Sequence, residues 1–306
     1  MSPLADPVGS RTPTQNTPTD AGPGMATPTK DKRFPKRLSA RQLASTEARL
    51  TARDRAILQT VGRFGVMSGR QLGELLWDEI SPSARARVAR RGLSRLAALD
   101  VLQPLTRRVG GERSGSASTT FAVGRAGQYL LQSGGASKRR VRAAYTPGAR
   151  YLAHRLAVAQ LYVDLIAAER QEQVELIRFE PEPECWRPYI TGFGTRQILK
   201  PDAFVKLAIG DYEFSWFIEA DMATEALTTI ATKALRYHDS YQTGTEQAAR
   251  GLFPRVLWIA PSENRAEAIR ETLTQLPAAA SGSTRATTGA TARGNTRNRV
   301  HASRHE

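Results

Sequence analysis

The sequence predicts a mixed α+β protein in two parts, a basic helical half followed by a mixed α/β half. Three observations predict it. Residues 51–150 carry 18 Lys and Arg against 6 Asp and Glu, whereas residues 151–275 carry 13 against 18. Between 50 and 131, helical periodicity gives way to short apolar runs around a Gly/Ser stretch. From 150 to 276, long helical patterns alternate with β-type runs, the signature of a mixed sheet with covering helices. A basic module joined to a mildly acidic one is the asymmetry of a chain that holds a polyanion with one half.

Composition bounds the rest. With 306 residues, 40% hydrophobic and 7% aromatic, the chain can bury one or two ordinary cores. The single Cys185 excludes an intramolecular disulfide and a cysteine-rich zinc site. No apolar run of about 18 residues is present, and the N-terminus lacks the charged-then-apolar order of a signal peptide. The expectation is a cytoplasmic protein without a membrane span. Residues 1–38 (Pro, Thr, Gly, Lys) and 277–306 (Ala, Thr, Gly, Ser, Arg) read as disordered tails, and 136–149 as a basic linker between domains at 48–135 and 150–276.

The first half reads in order. "LTARDRAILQTVGRFG" starts at a Thr51 cap, carries Ile57, Leu58 and Val61 at helical spacing and stops at Gly65. "MSGRQLGELLW" is a short helix capped by Ser68, and "SPSARARVARRGLSRLAALD" a third with Pro82 near its start. On the third, Val88, Gly92, Leu96 and Leu99 share one side and Arg87, Arg90, Arg91 and Ser94 the other, with Arg85 and Arg95 nearer the apolar side. "VLQPLTRRV", "GGERSGSAST" and "TFAVGRAGQYLL" follow as strand, flexible tip, and strand plus helix. Three helices and a basic hairpin are the layout of a winged helix-turn-helix, whose third helix enters the major groove of double-stranded DNA while the wing follows the backbone. The five arginines at 85, 87, 90, 91 and 95 have no acid interleaved, so they are the candidate DNA contacts, with Arg107, Arg108 and Arg113 at the wing.

The second half opens with "ARYLAHRLAVAQLYVDLIAAER", a long helix in which His154 reads as a hydrogen-bonded structural or exposed residue in preference to a catalytic one. Then come "VELIRFEPEPECWRPY", strands at 200–207 and 212–221, a helix at 222–241, a strand at 255–260 reached by a crossover, and a closing helix. If Gly210-Asp211 is a two-residue turn, Ile209 faces Tyr212, Asp202 faces Glu219 and Lys200 faces Asp221, all four on one face. Facing acids repel. The arrangement therefore calls for a cation, either Lys200 with nearby Arg or a divalent metal.

Pro201-Asp202, a hairpin and Glu219-Ala220-Asp221 together resemble the PD-(D/E)xK nuclease pattern. That resemblance implies that Asp202 and Glu219 hold Mg²⁺ or Mn²⁺ and that a lysine two positions after the Glu orients the attacking water. Here that position is Asp221. Some members take the lysine from the following helix, which makes Lys233 the candidate and Asp202, Glu219, Asp221 and Lys233 the candidate catalytic set. Lys233 falls at the margin of an apolar stripe of Ala223, Leu227, Ile230, Ala234, Tyr237 and Tyr241.

"LTARDRAILQTVGRFGVMSGRQLGELL", "LSRLAALDVLQPL", "FAVGRAGQYLL", "LAHRLAVAQLYVDL" and above all "FIEADMATEALTTIATKALRYHDSY" are similar to the replication-relaxation family of actinobacterial and related plasmids and mobile elements, over about 50 to 275. The resemblance implies a DNA-binding accessory protein of plasmid replication, relaxation or mobilisation, with a plasmid relaxase or replication protein as partner. Two alternatives stay open: a Mg²⁺-dependent endonuclease or nickase, and a transcriptional repressor that dimerises through its C-terminal domain.

Overall fold

The computed structural model describes residues 38–105, 118–134, 148–276 and 284–288. It is a mixed α/β structure with helices and several sheets.

The first half begins with α1 (Ala40–Ala48), which the sequence reading did not include, then α2 (Ala52–Phe64), β1 (Val66–Ser68), α3 (Gly69–Leu76) and α4 (Pro82–Ala98). Each of the first three helices starts from a capping box. Ser39 with Gln42, Thr51 with Asp54, and Ser68 with Gln71 satisfy backbone donors that the first turn leaves open. Gly65, at φ 79°, ends α2 in a backbone conformation that a side chain would strain. β2 (Leu102–Leu105), β3 (Thr120–Val123) and α5 (Arg125–Ser133) complete this half, and β1, β3 and β2 pair antiparallel in that spatial order.

The buried stripe of α4 differs from the expected one. It is Ala89, Leu93 and Leu96, with Val88 and Leu99 packed at its edge and Gly92 lying against the ring of Trp77. Leu93, omitted from the sequence stripe, is the residue that turns inward between α3 and β3.

The second half runs α6 (Ala149–Arg170), β4 (Glu175–Pro181), β5 (Arg187–Ile190), β6 (Arg196–Leu199), β7 (Ala203–Ile209), β8 (Tyr212–Ala220), α7 (Leu227–Gln242), α8 (Thr245–Arg250), β9 (Arg255–Ala260), α9 (Glu263–Thr274) and β10 (Thr284–Thr288). The main sheet has the order β10-β9-β8-β7-β4. β4, β7 and β8 are antiparallel neighbours, while β8–β9 and β9–β10 are parallel. Pairs Ala203–Ile218 through Ile209–Tyr212 follow the register expected for a Gly210-Asp211 turn, with Gly210 at φ 56°.

Three boundaries move. β7 starts at Ala203 and not at 200, because Pro201 brings no N–H to the ladder. α7 starts at Leu227 and not at 222. The preceding loop holds Ala223 at φ 54° and lends the Glu225 carbonyl to Arg265. In the segment expected as a C-terminal tail, β10 extends the sheet, since the β9 edge leaves backbone groups open and the Thr-rich run suits a strand.

α6 covers one face of the sheet, with Val158, Ala159 and Val163 against Phe179, Val205 and Ile218. α7 and α9 cover the other, with Ile230, Ala234 and Ile269 against Phe217, Val256 and Trp258. The first cluster runs on into the N-terminal half. Phe64 of α2, Tyr162 of α6 and Phe179 of β4 form a ring triad with centroids 5.0 to 5.8 Å apart. Arg155 donates to the Phe64 carbonyl at 2.5 and 3.0 Å and pairs with Glu182 at 2.6 Å. Both halves therefore share one core. Among the described residues, no helix is long and apolar enough to cross a membrane.

Candidate functional site

Two places gather the residues singled out in the sequence. The first is the outer face of α4. Arg87, Arg90 and Arg91 are exposed there, and no carboxylate among the described residues pairs with them. Arg85 and Arg95 are engaged elsewhere. Arg85 donates to the carbonyls of Trp77, Asp78 and Ile80 beyond the end of α3, and Arg95 pairs with the buried Asp54 at 2.5 Å. Both hold helices together. Arg107, Arg108 and Arg113 lie outside the described residues, as does the tip of the expected wing.

The second place is the end of the main sheet, where β7 begins and β8 runs out. Asp202 continues the hairpin by one residue, its N–H donating to the Ile218 carbonyl at 3.0 Å. That leaves it opposite Glu219 in the register. One oxygen of Asp202 accepts from the Ala220 N–H at 2.7 Å, and the other lies 3.2 Å from Nε2 of His154 on α6. Glu219 points toward α7, as Phe217 does two residues earlier, and is almost fully buried. Tyr237 donates its hydroxyl to Oε1 of Glu219 at 2.6 Å, and Lys233 donates to Oε2 at 3.0 Å. Lys233 and Tyr237 are one helical turn apart and so share the face of α7 that meets the sheet. Lys233 also reaches Glu225 at 3.2 Å.

The electrostatics follow from this packing. Burial, and then the neighbouring Asp202, push the Glu219 carboxyl up to about 8, outweighing the opposing pull of Lys233 and Tyr237. Burial works against charge on Lys233, yet Glu219 and then Asp202 hold its ammonium above the ordinary lysine value. The hydrogen bond to Asp202 raises His154 despite its burial. Burial and Glu219 keep the Tyr237 hydroxyl protonated well above the usual tyrosine range. These side chains line a cleft of about 290 Å³, with Arg150 and Tyr151 from the first turn of α6 at its mouth.

Asp202, Glu219 and Lys233 are thus brought together. Asp221 lines the same cleft but is taken up by Arg265, which donates to its two oxygens at 2.7 and 3.2 Å. The neutralising role offered to Lys200 falls instead to Lys233, His154 and Arg265. With the strand starting after Pro201, Lys200 turns away and lies 4.8 Å from the Trp186 ring.

Three contributors carry little signal in the sequence. Tyr237 falls within the apolar stripe, although its spacing of four from Lys233 marks it as a neighbour. His154 stood alone on its helix, with nothing local to tie it to Asp202. Arg265 lies 44 positions from its partner and left no local signal. Among the described residues, no cluster of three or more His, Cys, Asp or Glu side chains is arranged to hold a metal ion.

Neither the curated proteins nor the solved structures contain a match to this chain. A family model described as replication-relaxation matches residues 58–256, more than half of the chain. Spanning α2 to the start of β9, and with it both the arginine face and the acidic cleft, that match establishes that the chain belongs to the replication-relaxation family.

Proposed function

We propose that the protein is a DNA-binding accessory factor of plasmid replication, relaxation or mobilisation, whose first half acts as a winged helix-turn-helix. The family suggests the plasmid role. The observation that carries the DNA reading is the outer face of α4, where Arg87, Arg90 and Arg91 stand exposed without carboxylate partners among the described residues, while on the same helix Arg85 is held by backbone carbonyls and Arg95 by Asp54. A solvated helix normally interleaves its charges, and unpaired arginines on one face suit phosphates and guanine edges.

The test is a titration of duplex DNA with wild type and with the Arg87→Ala/Arg91→Ala double variant over a salt series. Loss of two phosphate contacts should weaken binding more than tenfold and flatten the dependence on salt by roughly 0.9 per contact. Unchanged affinity and slope would overturn the assignment of α4.

A second reading, a nuclease of PD-(D/E)xK type, is favoured by one specific observation. Lys233 reaches Glu219 from the helix after the hairpin, while the position two residues after Glu219 is Asp221, which is paired with Arg265. This reading needs Mg²⁺ or Mn²⁺, and the donors fit: Asp202 and Glu219 are hard oxygen ligands facing one cleft, and a divalent cation there would offset both the burial and, second to it, the Asp202 repulsion that raise the Glu219 carboxyl. When bound, the ion would supply Lewis-acid polarisation of a phosphate oxygen. Tyr237 orients the Glu219 carboxylate, His154 holds that of Asp202, and the Lys233 ammonium neutralises charge on a phosphate in the cleft. A repressor role would rest on the same α4 contacts, and binding to its own promoter would distinguish it.

A further inference from the structure

The β5–β6 hairpin carries a second set of chemistry that neither α4 nor the cleft uses. Its inner face is fixed. Tyr189 and Leu199 are buried in the core beside α7, and Arg187 is locked between Glu180 at 2.6 Å and Glu246 at 3.4 Å, with its guanidinium over the rings of Phe204 and Phe217. Its turn is closed by hydrogen bonds from Thr191 N to Thr195 O at 3.0 Å and from Gly194 N to Thr191 O at 2.9 Å. On this rigid base stands Phe193, 99% exposed, between Gly192 and Gly194, around which a side chain would meet nothing within 4 Å.

By strand alternation, Ile190, Arg196 and Ile198 share the outward face, and all three are exposed. Lys200 continues the same side of the chain. Residues 186–201 contain no Asp or Glu, and neither Arg196 nor Lys200 pairs with a carboxylate among the described residues. A lone exposed apolar side chain needs no explanation. A fully exposed ring on a closed turn, with Arg196 nearby and without a carboxylate partner among the described residues, Lys200 further along the same face over the Trp186 ring, and the base of the hairpin anchored, has the makeup of a stacking platform for nucleic acid.

We infer that this hairpin binds unpaired DNA, with Phe193 stacking on a base and Arg196 and Lys200 meeting the flanking phosphates. An intact duplex hides the faces of its bases against one another, so the ring fits an unpaired segment. The charge selects DNA over a second copy of the chain, since a self-contact would set Arg196 and Lys200 against their own like. The hairpin leads through Lys200 and Pro201 directly into Asp202. Arg196 is six residues upstream of Asp202, so the contact lies at most about 20 Å from the cleft along the chain. The inference rests on the DNA-binding reading and adds a preferred DNA structure to it.

The test compares a paired duplex with the same sequence carrying a six-base unpaired bubble, with 2-aminopurine in the bubble. Wild type should favour the bubble by about tenfold. Phe193→Ala should abolish that preference and the fluorescence change while keeping duplex affinity, and Phe193→Trp should restore both. Arg87→Ala/Arg91→Ala should weaken both substrates alike and keep the preference. A wild type with no preference, or a Phe193→Ala variant that retains it, overturns the hairpin assignment alone. A wild type that binds neither substrate overturns the DNA reading as a whole. A dimer in sedimentation that Phe193→Ala dissociates, with DNA affinity unchanged, would make the face a self-contact and overturn the inference.

Discussion

Arg265 lays its guanidinium across Asp221, with Nε 2.7 Å from one carboxylate oxygen and Nη2 3.2 Å from the other. The acid side chain is 1% exposed and the arginine 16%, and the same Nη2 also donates to the Glu225 carbonyl at 2.6 Å. This pair lets a buried acid occupy the position two residues after Glu219. Removing one partner of such a pair strands a buried charge, so Arg265→Ala should cost about 3 kcal/mol in denaturant unfolding. Asp221→Asn combined with Arg265→Gln should recover much of it. A fully stable Arg265→Ala protein would mean that the pair does not hold the loop.

Stability should fall as pH rises across the neutral range. Glu219 moves from an ordinary 4.5 to about 8 on folding, so between those values the folded state keeps a proton that the unfolded chain has released. Its favourable contribution is complete below pH 4.5 and is lost as pH climbs toward 8. His154, also raised on folding, acts in the same direction from about 6.5 upward. Melting temperatures from pH 4.5 to 8.5 should slope downward in wild type and be flatter in Glu219→Gln, which mimics the protonated form. Parallel profiles in the two proteins would contradict the burial of this group.

Mg²⁺ or Mn²⁺ should raise the melting temperature of wild type and leave Asp202→Ala unmoved. Binding at a hundredfold excess over Kd is worth about 2.7 kcal/mol. Equal responses in the two proteins would place the ion elsewhere.

Supercoiled plasmid incubated with either ion separates the two functional readings. If the cleft cuts DNA, wild type should nick or linearise the plasmid, and both Glu219→Ala and Lys233→Met should be inactive. DNA that is shifted on a gel but uncut would leave an accessory factor whose acidic cleft is structural.

Arg95 and Arg91 should behave in opposite ways despite lying one turn apart. Arg95→Ala leaves Asp54 buried without its partner and should lower stability by about 1–3 kcal/mol, with little change in DNA affinity of the folded protein. Arg91→Ala should do the reverse. Equal loss of affinity in both would assign Arg95 to the DNA face as well.

What could be read from the sequence was local. The caps at Thr51 and Ser68 and the stop at Gly65 lie within a few residues of the donors they serve, and the hairpin register follows from one glycine turn. Asp202, Glu219 and Lys233 could be selected because register and helical spacing carry over short distances. The same logic fails for Arg265 and His154, whose partners come from distant elements. It fails as well for the start of α7, where a tertiary bond to the Glu225 carbonyl overrides helix propensity. The Ser39-x-x-Gln42 box of α1 was readable but lies outside the stretch read as the first domain.

The shared core between the halves has a metrical consequence. With Arg155 bonded to the Phe64 carbonyl and the Phe64, Tyr162 and Phe179 rings tilted against one another across the junction, α4 and the acidic cleft stand on one continuous core. If α4 docks on duplex DNA as proposed, this shared core would hold the cleft at a set offset along the helix, like the jaws of a caliper. Loosening the hinge, for instance with Phe64→Ala, should blur that spacing before it abolishes binding.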